Sequence, residues 1–304
     1  MLESPKAPRR AYAMCIMAAG SIVISFGGLI VRNIEDASNW QINLYRALSS
    51  TIVVFFILLF QYRRKVFSKI HTIGRPGLVG GCLLATAGIC FIQSLTTTTV
   101  ANTLFILSAI PIITAGLAWV FLKERLERVT VITMMIAVAG ISVMVAEGFG
   151  IGSSYGNLMA LITAVSFAGF AVIIRNYRNI DMLPTLLVSG VIMISVAVVM
   201  SFDDLRISQH DLLLCILWGG VMTGMTNWTF IVASRHLVAA EVTLFMLLEF
   251  SLGPIWVWLF ANETPTGWTL AGGVLVISAV SLRAALEMRR SFEKLRRGRV
   301  LSPP

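Results

Sequence analysis

The sequence predicts an all-α integral membrane protein with ten transmembrane helices, arranged as two inverted five-helix repeats with both termini cytoplasmic. Three observations carry this reading: an apolar composition, a one-sided placement of basic residues, and self-similarity at a fixed offset. Of the 304 residues, 57% are apolar and 13% charged, and the mean hydropathy is +0.84. A soluble domain carries about 45–50% apolar and about 25% charged residues. Disorder is excluded by the same balance, since its signature is low hydrophobicity with high charge.

A bilayer core of about 30 Å needs about 20 apolar residues in a helix. Ten stretches qualify, at 12–31, 40–62, 77–95, 100–122, 129–146, 155–174, 183–201, 212–234, 239–260 and 268–286. The first is too long, and too well followed by further spans, to read as a cleaved signal peptide. All but three of the 24 lysines and arginines fall in the N-terminal arm, the even-numbered connections, or the end of the last span (Arg283) and the tail that follows it. The exceptions are Arg32 and Arg206 in odd-numbered connections and Arg46 within a span, while the odd connections carry acids such as Glu35, Asp36, Asp203 and Asp211. Cytoplasmic loops concentrate basic residues, so both termini are expected inside. Charge spread over every inner loop does not form the single basic footprint that a nucleic acid requires, which excludes that partner. The basic tail from Arg289 to Arg299 suits anionic lipid headgroups.

Shifting the sequence by 139 positions aligns Gly80-Gly81 with Gly219-Gly220, Phe91-Ile92 with Phe230-Ile231, Trp119 with Trp258 and Glu124 with Glu263. Each unit then holds five spans, and an odd number turns the second copy over in the membrane. The organisation read from this is an N-terminal arm (1–11), a first repeat (12–147, spans 1–5), a second repeat (155–286, spans 6–10) and a basic cytoplasmic tail (287–304). Inverted repeats allow one scaffold to open alternately to either side around a midplane site, so a solute carrier is the expected function.

The stretches from Ala101-Asn102-Thr103-Leu104 to Ala118-Trp119-Val120-Phe121-Leu122-Lys123-Glu124-Arg125, and from Leu247-Leu248-Glu249 to Trp258-Leu259-Phe260-Ala261-Asn262-Glu263, resemble the two copies of the EamA domain of the drug/metabolite transporter superfamily. The family's glutamate-proline pair is split here, with Ile110-Pro111 in one copy and Glu249-Phe250 followed by Pro254 in the other. The resemblance implies ten helices, a central cavity walled by spans 1–4 and 6–9, movement of small metabolites, and spans 5 and 10 as packing or homodimer elements.

Charged residues at the centre of a bilayer cost about 2.5–3.5 kcal/mol, so each raises a functional question. Glu249 falls midway along span 9, on a cavity helix by the family resemblance. It reads as a proton or cation site or a partner for a substrate ammonium, with a protonated structural glutamate as the alternative. Arg46 lies about 9 Å into span 2 at 1.5 Å per residue. It either holds a substrate carboxylate or snorkels to the outer headgroups beside Trp40 and Tyr45. Glu241 opens span 9 near Arg235 and His236, as a gating ion pair or as a helix-start carboxylate. Gln93, Asn102 and Asn227 are amides at depth that need partners. Trp228, Phe167 and Phe170 offer stacking surfaces. Pro111 and Pro254 remove backbone donors within spans 4 and 9, predicting bends suited to gating. The Gly77/Gly81 and Gly220/Gly224 pairs suit close helix approach.

The four cysteines, Cys15, Cys82, Cys90 and Cys215, sit in apolar runs and read as packing residues. No HExxH, Walker loop or acid cluster of the kind that holds a metal-bound diphosphate occurs, so no enzyme, metal, cofactor or direct ATP-driven pump is expected. The expectation is therefore an inner-membrane, multi-pass exporter of a small organic metabolite such as an amino acid or vitamin. The rivals are a passive facilitator, a membrane-embedded enzyme and a sensor.

Overall fold

The computed structural model describes residues 7–63, 66–98, 103, 106–124, 127–144, 154–202, 205–261 and 267–300. Asn102 and Glu263 lie outside the described residues, as do the side chains of Pro254 and Trp258. The described chain is helical throughout. Five helical stretches, Arg10–Val31, Asn39–Tyr62, Gly74–Thr97, Ser154–Asn176 and Gln209–Ser234, are long and apolar enough to cross a membrane. Shorter apolar helices follow the same pattern at Ile110–Leu122, Arg128–Val143, Thr185–Met200 and Leu270–Leu282. Large apolar side chains such as Phe60, Phe121 and Phe202 project outward, as they do where the solvent is hydrocarbon. The chain is a multi-pass membrane protein.

The first span is two helices, α1 (Ala7–Ile24) and α2 (Gly27–Arg32). At the break, the Ser25 hydroxyl donates to the Ile22 carbonyl at 2.6 Å, a local bond that competes with helix propagation. Trp256 donates its indole N–H to the same hydroxyl at 2.7 Å, and its ring stacks on Phe26 at 4.2 Å. Helix α3 (Asn39–Tyr62) starts on a capping box. The Ser38 N–H donates to Gln41 Oε1 at 2.7 Å and the Gln41 N–H to Ser38 Oγ at 3.4 Å, satisfying donors that the helix start leaves free. Short α4 (Val66–Thr72) leads to α5 (Gly74–Thr97), α6 (Ile110–Leu122) and α7 (Arg128–Met144).

The second half comprises α8 (Ser154–Asn176), α9 (Thr185–Met200), α10 (Gln209–Ile216), a π-helical segment (Leu217–Thr223), α11 (Gly224–Ser234), α12 (Ala239–Ala261) and α13 (Gly267–Val300). Buried Asp211 in the first turn of α10 accepts from the backbone N–H groups of Glu35, Asp36 and Ala37 at 3.0–3.2 Å. It thereby fixes the connection between α2 and α3. The last helix continues through Val300, so the basic segment from 287 extends α13.

Helix pairings follow the 139-residue offset. Helix α5 packs on α8, and its offset counterpart, the π segment with α11, packs on α1, the counterpart of α8. Likewise α6 lies on α8 and α12 on α1; α5 lies on α9 and the π segment on α3. Helices α3 and α9, and α7 and α13, pair with their own counterparts.

Two expectations change. The predicted bend within span 4 is a restart: residues 108–109 form a turn and α6 begins at Ile110, with Pro111 in its first turn. There a missing N–H breaks no helical bond. Spans 5 and 10, read as packing or homodimer elements, pack on each other within one chain. A Cβ at Gly140 would lie 2.8 Å from the Gly272 carbonyl oxygen, so the small residues serve the contact between α7 and α13, and a homodimer has no support here.

Candidate functional site

Helices from both halves surround a cavity of about 150 Å³ in the middle of the bundle. Its wall takes residues from α1, α3, α5, the start of α6, α8, α9, the π segment, α11 and α12, while no described residue of α7 or α13 contributes. Most of the wall is apolar, including Leu84, Phe91, Leu107, Leu186, Met193 and Met246. Against that background stand two ionisable residues, Arg46 from α3 and Glu249 from α12.

Arg46 is 7% exposed and lines the cavity. Its guanidinium lies over the Trp218 ring, 5.0 Å from the centroid, a stabilising cation–π geometry. One Nη donates to the Gly88 carbonyl at 3.2 Å. Gly88 leaves room for this: a Cβ there would meet Met193 Cε at 2.8 Å and stand 3.6 Å from Arg46 Nη2. The Arg46 Nε is buried with no hydrogen-bond partner, as is the hydroxyl of Thr223, another wall residue. Glu249 makes no hydrogen bond or ion pair with any described residue, although it and Arg46 lie within each other's electrostatic reach.

The π-helical segment carries Trp218 into this position. Such segments arise where an extra residue is fitted into a helix, often at functional sites. Here Gly219 brings the backbone of α3 close. A Cβ at Gly219 would overlap the Arg46 carbonyl oxygen and the Ser49 hydroxyl. Gly219→Ala is therefore expected to lower stability by about 1–3 kcal/mol, as overpacking does. Gly28→Ala, where a Cβ meets nothing within 4 Å inside α2, should be neutral or stabilising by about 0.5–1 kcal/mol. Thermal unfolding of the two variants in detergent checks this; equal midpoints would refute the close approach at Gly219.

The other expected site residues separate. Asn227 and Phe167 line the cavity beside Thr163 and Thr226. Phe170 lies behind the wall, fully buried, stacked on Phe230 at 5.6 Å with Phe167 edge-on to both. Trp228 packs against the main apolar core and Gln93 is buried on α5; neither lines the cavity. Trp218, Gly88 and Met193 were missed. The sequence signal for Trp218 was a tryptophan beside Gly219-Gly220 within a span, away from the interfacial belt that tryptophan favours. The four cysteines are free, and no metal-binding cluster occurs among the described residues.

At the end of the bundle carrying the N-terminal helix, three ion pairs lie between cavity-forming elements. Arg10 pairs with Glu241 at 2.6 Å, Arg175 with Glu124 at 2.7 Å, and Arg235 with Asp181 at 2.7 Å. The first two join opposite halves. Glu241 thus pairs with the N-terminal helix, while Arg235, its neighbour in sequence, takes Asp181. Glu241 Oε2 also accepts from the Val238 N–H at 3.4 Å, so it keeps its helix-start role as well. Arg175 further donates to the Ser234 carbonyl at 3.0 Å.

Residues 11–146 match the EamA-like transporter family. The chain is 26% identical over 307 aligned positions to solute carrier family 35 member G1 of Homo sapiens, covering 92% of this chain and 80% of that protein. It is 24% identical over 251 positions to the pseudopaline exporter CntI of Pseudomonas aeruginosa, covering 79% of this chain and 84% of the exporter. A solved crystal structure of 16% identity superposes with a TM-score of 0.76 over 91% of this chain and 98% of its own; that likeness concerns the fold alone. Residues 11–146 thus carry an EamA-like transporter domain, and over most of its length the chain is similar to transporters.

Proposed function

We propose that this chain exports a small organic metabolite across the inner membrane by alternating access, through ten spans built as two inverted repeats with both termini cytoplasmic. The single observation that carries this reading is the charge-bearing cavity contributed to by both halves, with no described residue of α7 or α13 in its wall. Helix pairings that repeat under the 139-residue offset support the two-unit organisation, and an inverted pair of units is the scaffold that alternating access uses. The basic inner loops support the orientation. Outward movement is supported by the relative named as an exporter.

In this reading Glu249, Arg46, Asn227 and Phe167 contact the solute. The ion pairs Arg10–Glu241 and Arg175–Glu124 hold the cytoplasmic side shut and must part when the cavity opens inward. The turn before Pro111 and the break at Ser25-Phe26 are the joints about which half-spans move.

Purified protein in proteoliposomes tests this. Solute is expected to accumulate against its gradient when a proton gradient is imposed, and to stop accumulating when that gradient is collapsed. Downhill flux indifferent to the collapse would make the protein a facilitator. No flux above protein-free vesicles for any small metabolite would overturn the transport reading.

A further inference from the structure

Resting on the reading that Arg46 contacts the solute, we propose that Trp218 is a residue which span 8 holds in excess of its counterpart, span 3, and that this added residue positions Arg46 in the cavity.

The excess is visible in burial. From Gly219 onward, span 8 keeps step with α5 at the 139-residue offset. Gly219, Gly220, Gly224 and Thr226 are buried like Gly80, Gly81, Ala85 and Ala87, while Val221 and Met225 are exposed like Cys82 and Thr86. Before Gly219 that register fails: Trp218 is buried where Val79 is exposed, and Ile216 is exposed where Gly77 is buried. An offset one residue shorter restores it. Asp211, Cys215 and Trp218 then match buried Ile73, Gly77 and Gly80, and Leu213, Ile216 and Leu217 match exposed Arg75, Leu78 and Val79. Gly80 is thus matched by Trp218 from one side and by Gly219 from the other, so span 8 carries one residue too many for a common helical phase.

The backbone shows where that residue goes. The Leu217 N–H donates to the Leu213 carbonyl, four residues back, whereas the Gly224 N–H donates to the Gly219 carbonyl, five back. Helix α5 is α-wound through the matching stretch. Both flanks of the segment are pinned, so the winding has to absorb the difference. On one flank Asp211 holds the connection between α2 and α3, and the Ser49 hydroxyl donates to the Cys215 carbonyl at 3.3 Å. On the other, the Thr226 hydroxyl donates to the Gly20 carbonyl at 3.0 Å. The added side chain is given room: a Cβ at Gly27 would stand 2.8 Å from the indole nitrogen of Trp218. In this winding the Thr223 hydroxyl is buried without a partner, although threonine in a regular helix bonds a carbonyl one turn back. A π turn that gives up such a bond is characteristic of functional sites. What it secures here is Arg46. The Trp218 ring and the Gly88 carbonyl hold the guanidinium against the wall, and a long side chain fixed in advance loses less entropy when a solute binds.

The test uses the full-length protein in lipid nanodiscs with isotope-labelled arginine. The Nε–H resonance of Arg46, identified by its loss in Arg46→Lys, should lie upfield of the other arginines, because a proton over an aromatic face is shielded. Trp218→Phe should keep most of that displacement and Trp218→Leu should abolish it. An Arg46 resonance indifferent to Trp218→Leu overturns the positioning role. Deletion of Trp218 should let span 8 run as a continuous α-helix, with an unfolding midpoint above that of a deletion of Val79, which removes a residue that α5 needs. Equal midpoints, or a Trp218 deletion that does not fold, would mean that no residue is in excess and overturn the proposal. In proteoliposomes, for whichever solute the wild type moves, Trp218→Leu should slow flux roughly tenfold, the size of a buried cation–π contact. Trp218→Phe should restore most of it, and Trp218→Leu should add no further loss to Arg46→Gln. Losses that multiply would make Trp218 a separate packing residue and overturn the proposal. Absence of flux for every solute would defeat the transport reading instead, while the resonance and the two deletions would still decide whether Trp218 is added and holds Arg46.

Discussion

Glu249→Gln is expected to reach the membrane at the wild-type level, to retain its thermal stability, and to lose the pH dependence of transport. The carboxyl sits halfway along α12, on the wall of a cavity whose lining is largely apolar, and no described residue pairs with it. The charged group facing it across the cavity is Arg46. A carboxylate in such surroundings must hold a proton, a solute cation or an electrostatic counterpart, because leaving it bare costs a large desolvation energy. Glutamine keeps the shape and a hydrogen-bonding end but cannot exchange a proton. The measurement is initial flux in proteoliposomes across a range of internal pH. Flux in the variant should fall about tenfold or more where wild type is fastest, which corresponds to about 1.4 kcal/mol of lost discrimination, and should become flat with pH. A variant whose pH profile overlays that of wild type would remove Glu249 from coupling.

Arg10→Ala should be more damaging to stability than Glu241→Gln, although both break the same ion pair. Glu241 is 1% exposed and Arg10 20%. Removing the arginine takes a counter-charge at 2.6 Å away from a buried carboxylate, a loss of about 3 kcal/mol where a buried pair is broken from one side. Removing the carboxylate's charge instead leaves an arginine at the end of the bundle with water or headgroups within reach. The glutamine also still accepts hydrogen bonds of the kind that Thr130 and the Val238 N–H now make to Glu241. Thermal unfolding of the two variants, with Arg10→Lys as the charge-preserving control, decides the matter. Equal losses would mean that the burial of Glu241 contributes nothing. Because this contact joins the first and second halves, Arg10→Ala should also make this end of the bundle easier to open, read as faster labelling of cysteines placed near Ser234.

Glu249 and Arg46 were legible in the sequence because an ionisable residue in a run of apolar ones stands out whatever the fold. Their relation was not. Arg46 is six positions from the start of its span, a depth equally compatible with reaching outward to headgroups or inward to a cavity. The helix face decided for the cavity, with Trp218 and the Gly88 carbonyl holding the side chain. Aromatic candidates were harder. Phe167 and Phe170 are three apart on one helix face, yet one lines the cavity and the other is sealed behind it by Phe230. Glu241 was placed beside Arg235 because they are near in sequence; the helix geometry sends Arg235 to Asp181 and brings Arg10 from the other half.

Composition and periodicity on their own determined that the chain is helical and lives in lipid, because the cost of an unpaired backbone group in hydrocarbon leaves few alternatives for long apolar segments. They also exposed the offset self-similarity, since repeated units leave their spacing in the order of residues. Only the tertiary structure decided which polar groups share a space, where π-helical winding carries Trp218 inward, and that α7 and α13 meet each other within the chain. The reason is physical. Burial in a membrane protein is set by which helix face meets which neighbour, and a change of one residue in phase turns a side chain by about 100° without altering the apolarity that marks the span.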